Sequence, residues 1–129
     1  MSNVKGTRGE REILHQFWNT ADWAAIRVPA SGAMPYPSPD VLAGNHSRKL
    51  AIECKVTAAD SQYFSHEQID NLREFSRRFG AEPWVSIKFL RRGTFFVSAG
   101  DLKKTPKNYV VSLETCQSLG LSFEDVTKN

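Results

Sequence analysis

Apolar residues recur every three or four positions near the start of the chain, from about Arg8 to Thr20. This spacing predicts an amphipathic helix, because residues three and four apart share one helix face. Thr7 and Glu10 have the spacing of a capping box, which indicates that the helix begins there. The predicted apolar face consists of Ile13, Leu14, Phe17 and Trp18.

A second helix is predicted after Ser65, which together with Gln68 has the spacing of another capping box. This helix should end at Gly80, since glycine is the residue found most often just past a helix C-terminus. The apolar face of the second helix is predicted to be Ile69, Leu72, Phe75 and Phe79.

The remaining apolar residues form short runs that are typical of strands. A turn at 19–22 leads into the first strand, and a loop rich in proline, glycine and serine follows it. The predicted strands are 23–28, two strands of a hairpin within 39–57, 84–90, 94–98 and, more weakly, 109–112. Residues 103–108 form a basic loop in this interpretation, and 113–119 form a short helix. The order of elements predicts an α/β fold with a central mixed sheet flanked by helices.

The chain has 129 residues, of which 40% are hydrophobic. This length and composition predict a single domain over residues 1–129, with one core. Lys and Arg number 17 against 14 Asp and Glu, giving a net charge of +3. A mildly basic balance fits a nucleic-acid partner, although it is not specific to one.

No apolar run is long enough to span a membrane, and the charged N-terminus lacks the apolar segment of a signal peptide. We therefore expect an intracellular, cytoplasmic protein with no membrane partner. Cys54 and Cys116 lack the spacing of a zinc site and are expected to be reduced thiols. The three histidines add no ligand pattern, which argues against a histidine-based metal site or a Cys/His nucleophile pair.

Three charged residues interrupt the predicted hairpin at 39–57: Asp40, Glu53 and Lys55. If the turn is centred between residues 46 and 47, Asp40 lies across from Glu53, with Cβ atoms roughly 5 Å apart. Two carboxylates this close repel each other unless a cation lies between them, and Mg²⁺ favours such oxygen ligands. Lys55 lies on the same strand face as Glu53 and adds a fixed positive charge. This set suits phosphodiester hydrolysis.

A structural interpretation of the same residues remains open. Asp40 could be a turn residue, while Glu53 and Lys55 form a salt bridge on a solvated face. The neighbours on that face argue against this interpretation, because Leu42 and Ala51 are apolar and isolated charges stabilise an apolar strand pair little.

The hairpin also carries a resemblance to a known family. Pro39-Asp40 followed by Glu53-Cys54-Lys55 matches the Pro-Asp…(Asp/Glu)-x-Lys motif of restriction-endonuclease-like nucleases. The surrounding segments KGTRGERE, IRVPASG, PDVLAGN, LAIECKV, EFSRRFG and VSIKFL, in this order, resemble the archaeal Holliday junction resolvases. The resemblance covers about residues 5–97 and implies the restriction-endonuclease-like fold.

The resemblance implies a role for each residue that matches the family motif. Asp40 and Glu53 would be metal ligands and Lys55 the catalytic lysine. Glu10 would join the metal site, although it also fits the capping box, and the main-chain carbonyl of Cys54 would complete the ligand set. The implied cofactor is Mg²⁺, for which Mn²⁺ is expected to substitute. Water would attack in line, leaving a 5′-phosphate and a 3′-hydroxyl.

Further residues are implied to contact DNA. Arg11 and Arg27 match functional arginines of the family, with an exposed helix residue and a surface partner for an acid as the alternatives. Ser31 would contribute to cleavage through contact with the scissile phosphate, unless it is an ordinary loop residue. Lys5 and Arg8, which lie near the proposed site, complete the predicted DNA contacts. Other basic pairs occur at 48–49, 77–78, 91–92 and 103–104.

The expected partners are a four-way DNA junction and a second copy of the chain. Two opposed strands must be cut at symmetric positions, which a two-fold dimer with one site per protomer can do. Candidate interface residues are Phe89, Leu90, Phe95 and Phe96, which could equally fill the protomer's own core. Three alternative functions remain open: a nuclease of the same fold acting on another DNA structure, a non-cleaving junction-binding architectural protein, and an interaction module without a nucleic-acid role.

Overall fold

The computed structural model describes residues 3–29 and 35–128, with side chains from residue 9 onward. The helices are α1 (Asn3–Trp18), α2 (His66–Phe79), α3 (Leu113–Leu119) and α4 (Phe123–Val126). The strands are β1 (Ala24–Arg27), β2 (Val41–Gly44), β3 (Lys49–Thr57), β4 (Ser61–Phe64), β5 (Glu82–Phe89), β6 (Gly93–Ser98), β7 (Lys103–Lys104) and β8 (Tyr109–Ser112).

Five strands form the main sheet in the order β1-β2-β3-β5-β6. The pair β3–β5 is parallel and the other neighbours are antiparallel, so the sheet is mixed, as predicted. A second sheet of three strands has the order β4-β8-β7. No described helix is long and apolar enough to cross a membrane.

Helices and the second sheet cover the two faces of the main sheet. One apolar cluster, the α1-side cluster, joins Ile13 and Phe17 of α1 to Ile52 and Cys54 of β3. The α2-side cluster joins α2 and the small sheet to Ala51 and to β5 on the opposite face. Since β3 contributes to both clusters, its charged residues lie in a strand that is covered on both sides, unlike a solvated hairpin.

The first helix begins earlier than predicted, at Asn3 rather than near Arg8. Thr7 therefore lies inside the helix, and the capping box that we predicted for Thr7 and Glu10 is wrong. Glycine is a poor helix former, so Gly6 and Gly9 favoured a later start in the local pattern. Gly9 serves packing: a Cβ there would lie 3.0 Å from Cγ2 of Val56, so glycine lets α1 approach β3 closely.

The predicted ends of the second helix are confirmed. Ser65 and Gln68 form both hydrogen bonds of the capping box, and Gly80 ends the helix in the left-handed conformation with φ 79°. Ile69 and Leu72 are buried, as predicted, but Phe79 is 46% exposed. The predicted apolar face therefore extends beyond the protomer's own core, because no described element covers the last turn.

Three short elements were missed or misassigned. Strand β4 and helix α4 are four residues each, too short to show a clear period. Lys103–Lys104 was predicted as loop but forms strand β7, which pairs with β8. Two exposed lysines carry no apolar signal, so only the pairing reveals this strand. The predicted strand at 109–112 and helix at 113–119 are confirmed.

Of the four residues that we considered for a dimer interface, some are buried in the core and some are not. Phe89 and Phe96 are each 1% exposed and belong to the two core clusters, so they are unavailable to a partner. Phe95 packs against the α2-side cluster, and Leu90 remains exposed. The core interpretation is therefore correct for the two most buried of the four, because β5 and β6 are covered on both faces.

We expect Ser65→Ala to lower the free energy of unfolding by about 1 kcal/mol, because it removes the side-chain acceptor of the capping box. Urea unfolding followed by circular dichroism measures this loss. Ser47→Ala, at an exposed turn position, is the matched control and should change stability by less than about 0.5 kcal/mol. Equal effects of the two substitutions would contradict a stabilising role for the cap.

Candidate active site

Asp40 lies at the point where strand β2 begins and its pairing with β3 stops. The ladder ends at the pair Val41–Ile52, while β3 continues to Thr57. The Asp40 N–H donates to the Ile52 carbonyl (3.0 Å), and Asp40 Oδ2 accepts from the Cys54 N–H (2.9 Å). These bonds hold the Asp40 carboxylate in what we call the notch, the space beside residues 53–55 of β3 that β2 leaves uncovered.

The register of the hairpin confirms the predicted turn centre between residues 46 and 47, since Gly44 pairs with Lys49. The ladder stops at Val41–Ile52, and beyond it the Asp40 N–H bonds to the Ile52 carbonyl, which keeps Asp40 beside residues 52–54 of β3. Asp40 is close enough to Glu53 for its charge to help raise the pKa of the Glu53 carboxyl, after burial. The two acidic side chains that the sequence separates by a turn are therefore brought together in the notch.

The pKa of Glu53 is raised from 4.5 to about 8. Burial is the main cause, followed by the negative charge of Asp40, while Lys55 partly offsets both. A carboxyl group that favours its protonated form at neutral pH lacks sufficient positive charge around it. The notch is thus a place where a proton or a metal cation is stabilised.

Lys55 lies on the same strand face as Glu53, two residues further along β3. Burial raises the pKa of both Glu53 and Glu10, and the positive charge of Lys55 offsets part of each rise. Lys55 therefore acts electrostatically on carboxylates from two different elements.

Glu10 reaches the site from α1, and its negative charge adds to the rise in the pKa of Glu53 that burial and Asp40 cause. Its Oε1 accepts a hydrogen bond from Nε of Arg27 (2.7 Å). Burial raises the pKa of Glu10, the Arg27 hydrogen bond opposes that rise, and the charge of Asp40 adds to it. Glu10 therefore belongs to the same electrostatic group as Asp40 and is ion-paired instead of capping α1.

Arg27 is the last residue of strand β1. Its ion pair with Glu10 fits the predicted alternative of a partner for an acid. Because that acid is itself a candidate site residue, Arg27 can be both a partner for an acid and a part of the candidate site. A guanidinium that binds Glu10 stabilises the ionised form of that carboxyl against the effect of burial.

Cys54 separates Glu53 from Lys55, and its side chain points to the other face of β3. The thiol is 7% exposed within the α1-side cluster and forms a hydrogen bond with Ser86. Burial raises the pKa of this thiol well above its ordinary value. Cys54 is therefore not a reactive thiolate, as the sequence predicted.

For most of the other predicted DNA-contact residues, the side-chain positions are outside the described part of the chain. Arg11 is exposed on α1, one residue after Glu10. Lys5 and Arg8 lie within α1, but their side chains are outside the described part of the chain, as is the whole of Ser31. Within residues 9–29 and 35–128, no three His, Cys, Asp or Glu side chains are already arranged to hold a metal ion.

Lys88 is a neighbour of the site that sequence reasoning missed. It lies opposite Val56 on the parallel strand β5, and its Nζ forms an ion pair with Glu12 of α1 (2.8 Å). Gly9, Lys55 and Lys88 line the same small pocket between α1 and the sheet. A parallel pairing across a long connection has no local sequence signal, so Lys88 could be placed only by the fold.

Known proteins resemble this chain in sequence and fold. The family model of the archaeal Holliday junction resolvase (Hjc) matches residues 1–129. The crossover junction endodeoxyribonuclease Hjc of Archaeoglobus fulgidus is 41% identical over 122 residues, which cover 95% of this chain and 88% of that protein. The Hjc of Methanocaldococcus jannaschii is 31% identical, covering 95% and 86%.

A solved structure supports the same relationship. The crystal structure of Archaeoglobus fulgidus Hjc, described as a Holliday junction resolvase from an archaeal hyperthermophile, matches with a TM-score of 0.88 and 38% identity. The match covers 95% of this chain and all of that one. The predicted restriction-endonuclease-like α/β fold is confirmed, and the chain belongs to the archaeal Holliday junction resolvase family.

Proposed function

We propose that this chain is an endonuclease that resolves four-way DNA junctions by paired, symmetric phosphodiester hydrolysis. It would act on the DNA of the cytoplasm, in recombination and repair. The observation that carries this proposal is the notch, where Asp40 and Glu53 face each other beside Lys55, in a chain of this family. Charges with this arrangement stabilise the fold poorly, as the raised pKa of Glu53 indicates, and so point to chemistry.

The residues of the notch fit a hard divalent cation, for which Mg²⁺ is our proposal and Mn²⁺ the expected substitute. Asp40 and Glu53 supply carboxylate oxygens, and Glu10 supplies Oε2, because Arg27 occupies Oε1. Backbone N–H and C=O groups of one strand residue point to the same side. Since the Cys54 N–H points to Asp40, the Cys54 carbonyl also faces the notch and completes the proposed ligand set.

When bound, the cation would polarise a phosphate oxygen and lower the pKa of a water molecule. The chain's own groups supply the remaining requirements. Lys55 is placed to orient the attacking water or to offset the charge that develops on the phosphate. Arg27 is a positioning residue, because its hydrogen bond orients Glu10 and opposes the rise in the pKa of Glu10 that burial causes.

Contacts with the DNA backbone would come from the same end of the molecule. We assign this role to Arg11 and Arg27, which are beside Glu10, and to Lys5 and Arg8 earlier in α1. Ser31, four residues after the end of β1 in the sequence, would contact the scissile phosphate. Such contacts read the placement of phosphates, which fits a substrate that is recognised by shape.

Symmetric cutting of two strands requires two sites, and we propose that a homodimer supplies them. The surface that fits a second copy is the aromatic cleft, an open groove of about 520 Å³ lined by Tyr36, Pro37, Glu74, Phe75, Arg78 and Phe79. Tyr36 is 75% and Phe79 46% exposed, and Phe79 stacks on Phe75 (5.1 Å between centroids). The ion pair Arg78–Glu74 gives the rim both charges, as a self-complementary surface needs.

The central test compares a synthetic four-way junction with linear duplex of the same arm sequences, in Mg²⁺. We expect paired symmetric nicks in the junction only. Asp40→Asn should abolish cutting, by at least a hundredfold, while binding of the junction in EDTA is retained. Asp22→Asn, at an exposed position in the turn before β1, is the control and should cut normally.

The other outcomes separate the alternatives. Equal cutting of junction and duplex would retain a nuclease but reject junction selectivity. Junction binding without cutting, by wild type and Asp40→Asn alike, would leave a non-cleaving architectural protein. Absence of DNA binding would favour an interaction module without a nucleic-acid role.

Removal of metal should make stability depend on pH through Glu53. The folded-state pKa of about 8 lies above the ordinary 4.5, so between these values the folded state binds more protons than the unfolded state. Its contribution to stability is therefore present below pH 4.5 and is lost as the pH rises toward 8, by at most about 1.4 kcal/mol per pH unit. In EDTA, the Tm of wild type should fall across this range more steeply than that of Glu53→Gln.

Mg²⁺ added at pH 8 should restore the Tm of wild type and have less effect on Glu53→Gln, because a bound cation replaces the proton. Differential scanning calorimetry measures both profiles. Parallel pH profiles of the two proteins would show that Glu53 is not the buried, charge-deficient carboxyl described above.

Phe79→Asp should convert the dimer into a monomer, because it places a charge in the centre of the aromatic cleft. Analytical ultracentrifugation gives the oligomeric state, and cooperative thermal unfolding checks that the variant is folded. Leu119→Asp, at another exposed apolar position (43% exposed), is the matched control and should remain dimeric. A dimeric Phe79→Asp protein would exclude the aromatic cleft as the interface.

A further inference from the structure

The small sheet β4-β8-β7 has one face turned away from the core. Its register aligns Tyr63 with Val110 and Val110 with Lys103, so these three side chains share a face. The neighbouring row consists of Phe64, which is 1% exposed, and Tyr109, which is 7% exposed, and it belongs to the α2-side cluster. Because side chains alternate along a strand, the row of Tyr63 and Lys103 faces outward.

This outward row combines an aromatic ring with positive charge. Tyr63 is 58% exposed, and Lys103 is exposed. Residues 101–112 contain three lysines, at 103, 104 and 107, and one acid, Asp101. We call the outward row together with Lys107 the basic hairpin face.

The hairpin that carries the lysines is fixed in place. Thr105 Oγ1 donates to Asn108 Oδ1 (2.8 Å) and accepts from the Asn108 N–H (3.0 Å), which closes the turn between β7 and β8. His66 Nε2 donates to the Thr105 carbonyl (2.8 Å), which fastens the turn to the start of α2. Lysines on a rigid hairpin lose little backbone freedom when they bind a ligand.

The three lysines of the basic hairpin face and its turn have no ion-pair partner among the described side chains. Most other described basic pairs contain a residue that is bound to an acid: Arg48 to Glu82, Arg77 and Arg78 to Glu74, and Arg92 to Asp60. Within the described side chains, no carboxylate lies within ion-pair distance of Lys103, Lys104 or Lys107. Unneutralised lysines around an exposed aromatic ring complement a polyanion with apolar sugar surfaces.

The basic hairpin face is close in sequence to the strand that carries the notch. Strand β3 continues for two residues beyond Lys55 and ends at Thr57, and β4 begins at Ser61. Tyr63 follows Lys55 by eight residues, a distance of at most about 27 Å in a fully extended chain. This span is shorter than one turn of B-form DNA, about 34 Å. One turn of a duplex whose backbone occupies the notch is therefore long enough to span the distance to this face.

We propose that the basic hairpin face binds the phosphate backbone of a DNA arm adjacent to the cleavage position. Lys103 and Lys107 contact phosphates, and the ring of Tyr63 packs against the sugar-phosphate chain. The face thereby helps to orient the arm so that the scissile bond enters the notch. This inference rests on the proposed action on DNA junctions and adds a second contact surface, on a different sheet from the notch.

The test measures binding of a fluorescent four-way junction in EDTA over a range of salt concentrations, with Lys103→Ala/Lys107→Ala. Loss of two phosphate contacts should reduce the slope of log K against log salt by about 1.8 and weaken binding at least roughly fivefold at low salt. Arg77→Ala/Lys128→Ala is the matched control, since it removes the same charge from two exposed residues that are already ion-paired. The control should retain the wild-type slope.

Tyr63 and arm length give two independent readouts. Tyr63→Ala should weaken binding, while Tyr63→Phe should retain it, because the ring makes the contact. Wild type should bind junctions with arms longer than about 8 base pairs, the duplex that spans 27 Å, more tightly than junctions with shorter arms. The double lysine variant should not distinguish the two arm lengths.

The inference and the proposed function fail in different ways. A wild-type protein that neither binds nor cuts the junction overturns the proposed function. A wild type that cuts, with unchanged salt slope and affinity in the double lysine variant, overturns only the role of the basic hairpin face. Equal losses in the lysine variant and in its matched control would likewise overturn the inference, since net charge alone would explain them.

Discussion

The repulsion between Asp40 and Glu53 is the constraint around which this molecule is organised. Two carboxyl groups face each other in a partly buried notch, and the pKa of Glu53 rises to about 8 because burial and the neighbouring charge disfavour its ionised form. Such a pair lowers the stability of a metal-free fold at neutral pH. Its presence between well-packed strands is explained most simply by a cation that the protein is built to receive.

The architecture holds this unfavourable pair in place with rigid backbone contacts. The short strand β2 stops at Val41, so the N–H of Cys54 is left to bind Asp40 in place of a ladder partner. On the other side, β3 is anchored to β5 along its length, from Leu50 to Thr57. Gly9 lets α1 approach the strand, which brings Glu10 and its partner Arg27 beside the same notch. Three elements therefore converge at a point where no regular pairing competes with the site.

Exposed aromatic residues lie on two surfaces whose charges differ. In the aromatic cleft, Phe75 and Phe79 stack beside an ion pair of opposite charges, which suits a second copy of the chain. On the basic hairpin face, Tyr63 stands among lysines that no described acid neutralises, which suits DNA. Both proposed roles would serve one requirement, because resolution of a junction requires two symmetric sites and arms that stay oriented.

The sequence by itself determined the local features. The period of two along 39–57, with a turn centred between residues 46 and 47, was sufficient to set Asp40 opposite Glu53, because strand register depends on the turn and on the alternation of faces. Ser65, Gln68 and Gly80 likewise defined α2, since caps act through bonds between near neighbours. The resemblance of the motifs added the family.

Three features depend on tertiary contacts: which charged residues form ion pairs, which apolar residues are buried, and where Glu10 lies. The pairing of Arg48 with Glu82 spans 34 residues, and the approach of Glu12 to Lys88 spans 76. Phe89 and Phe79 look alike in the sequence, but one fills the core and the other is exposed. These outcomes depend on contacts between distant segments, whose energies no local pattern contains, and the parallel pairing of β3 with β5 creates most of them.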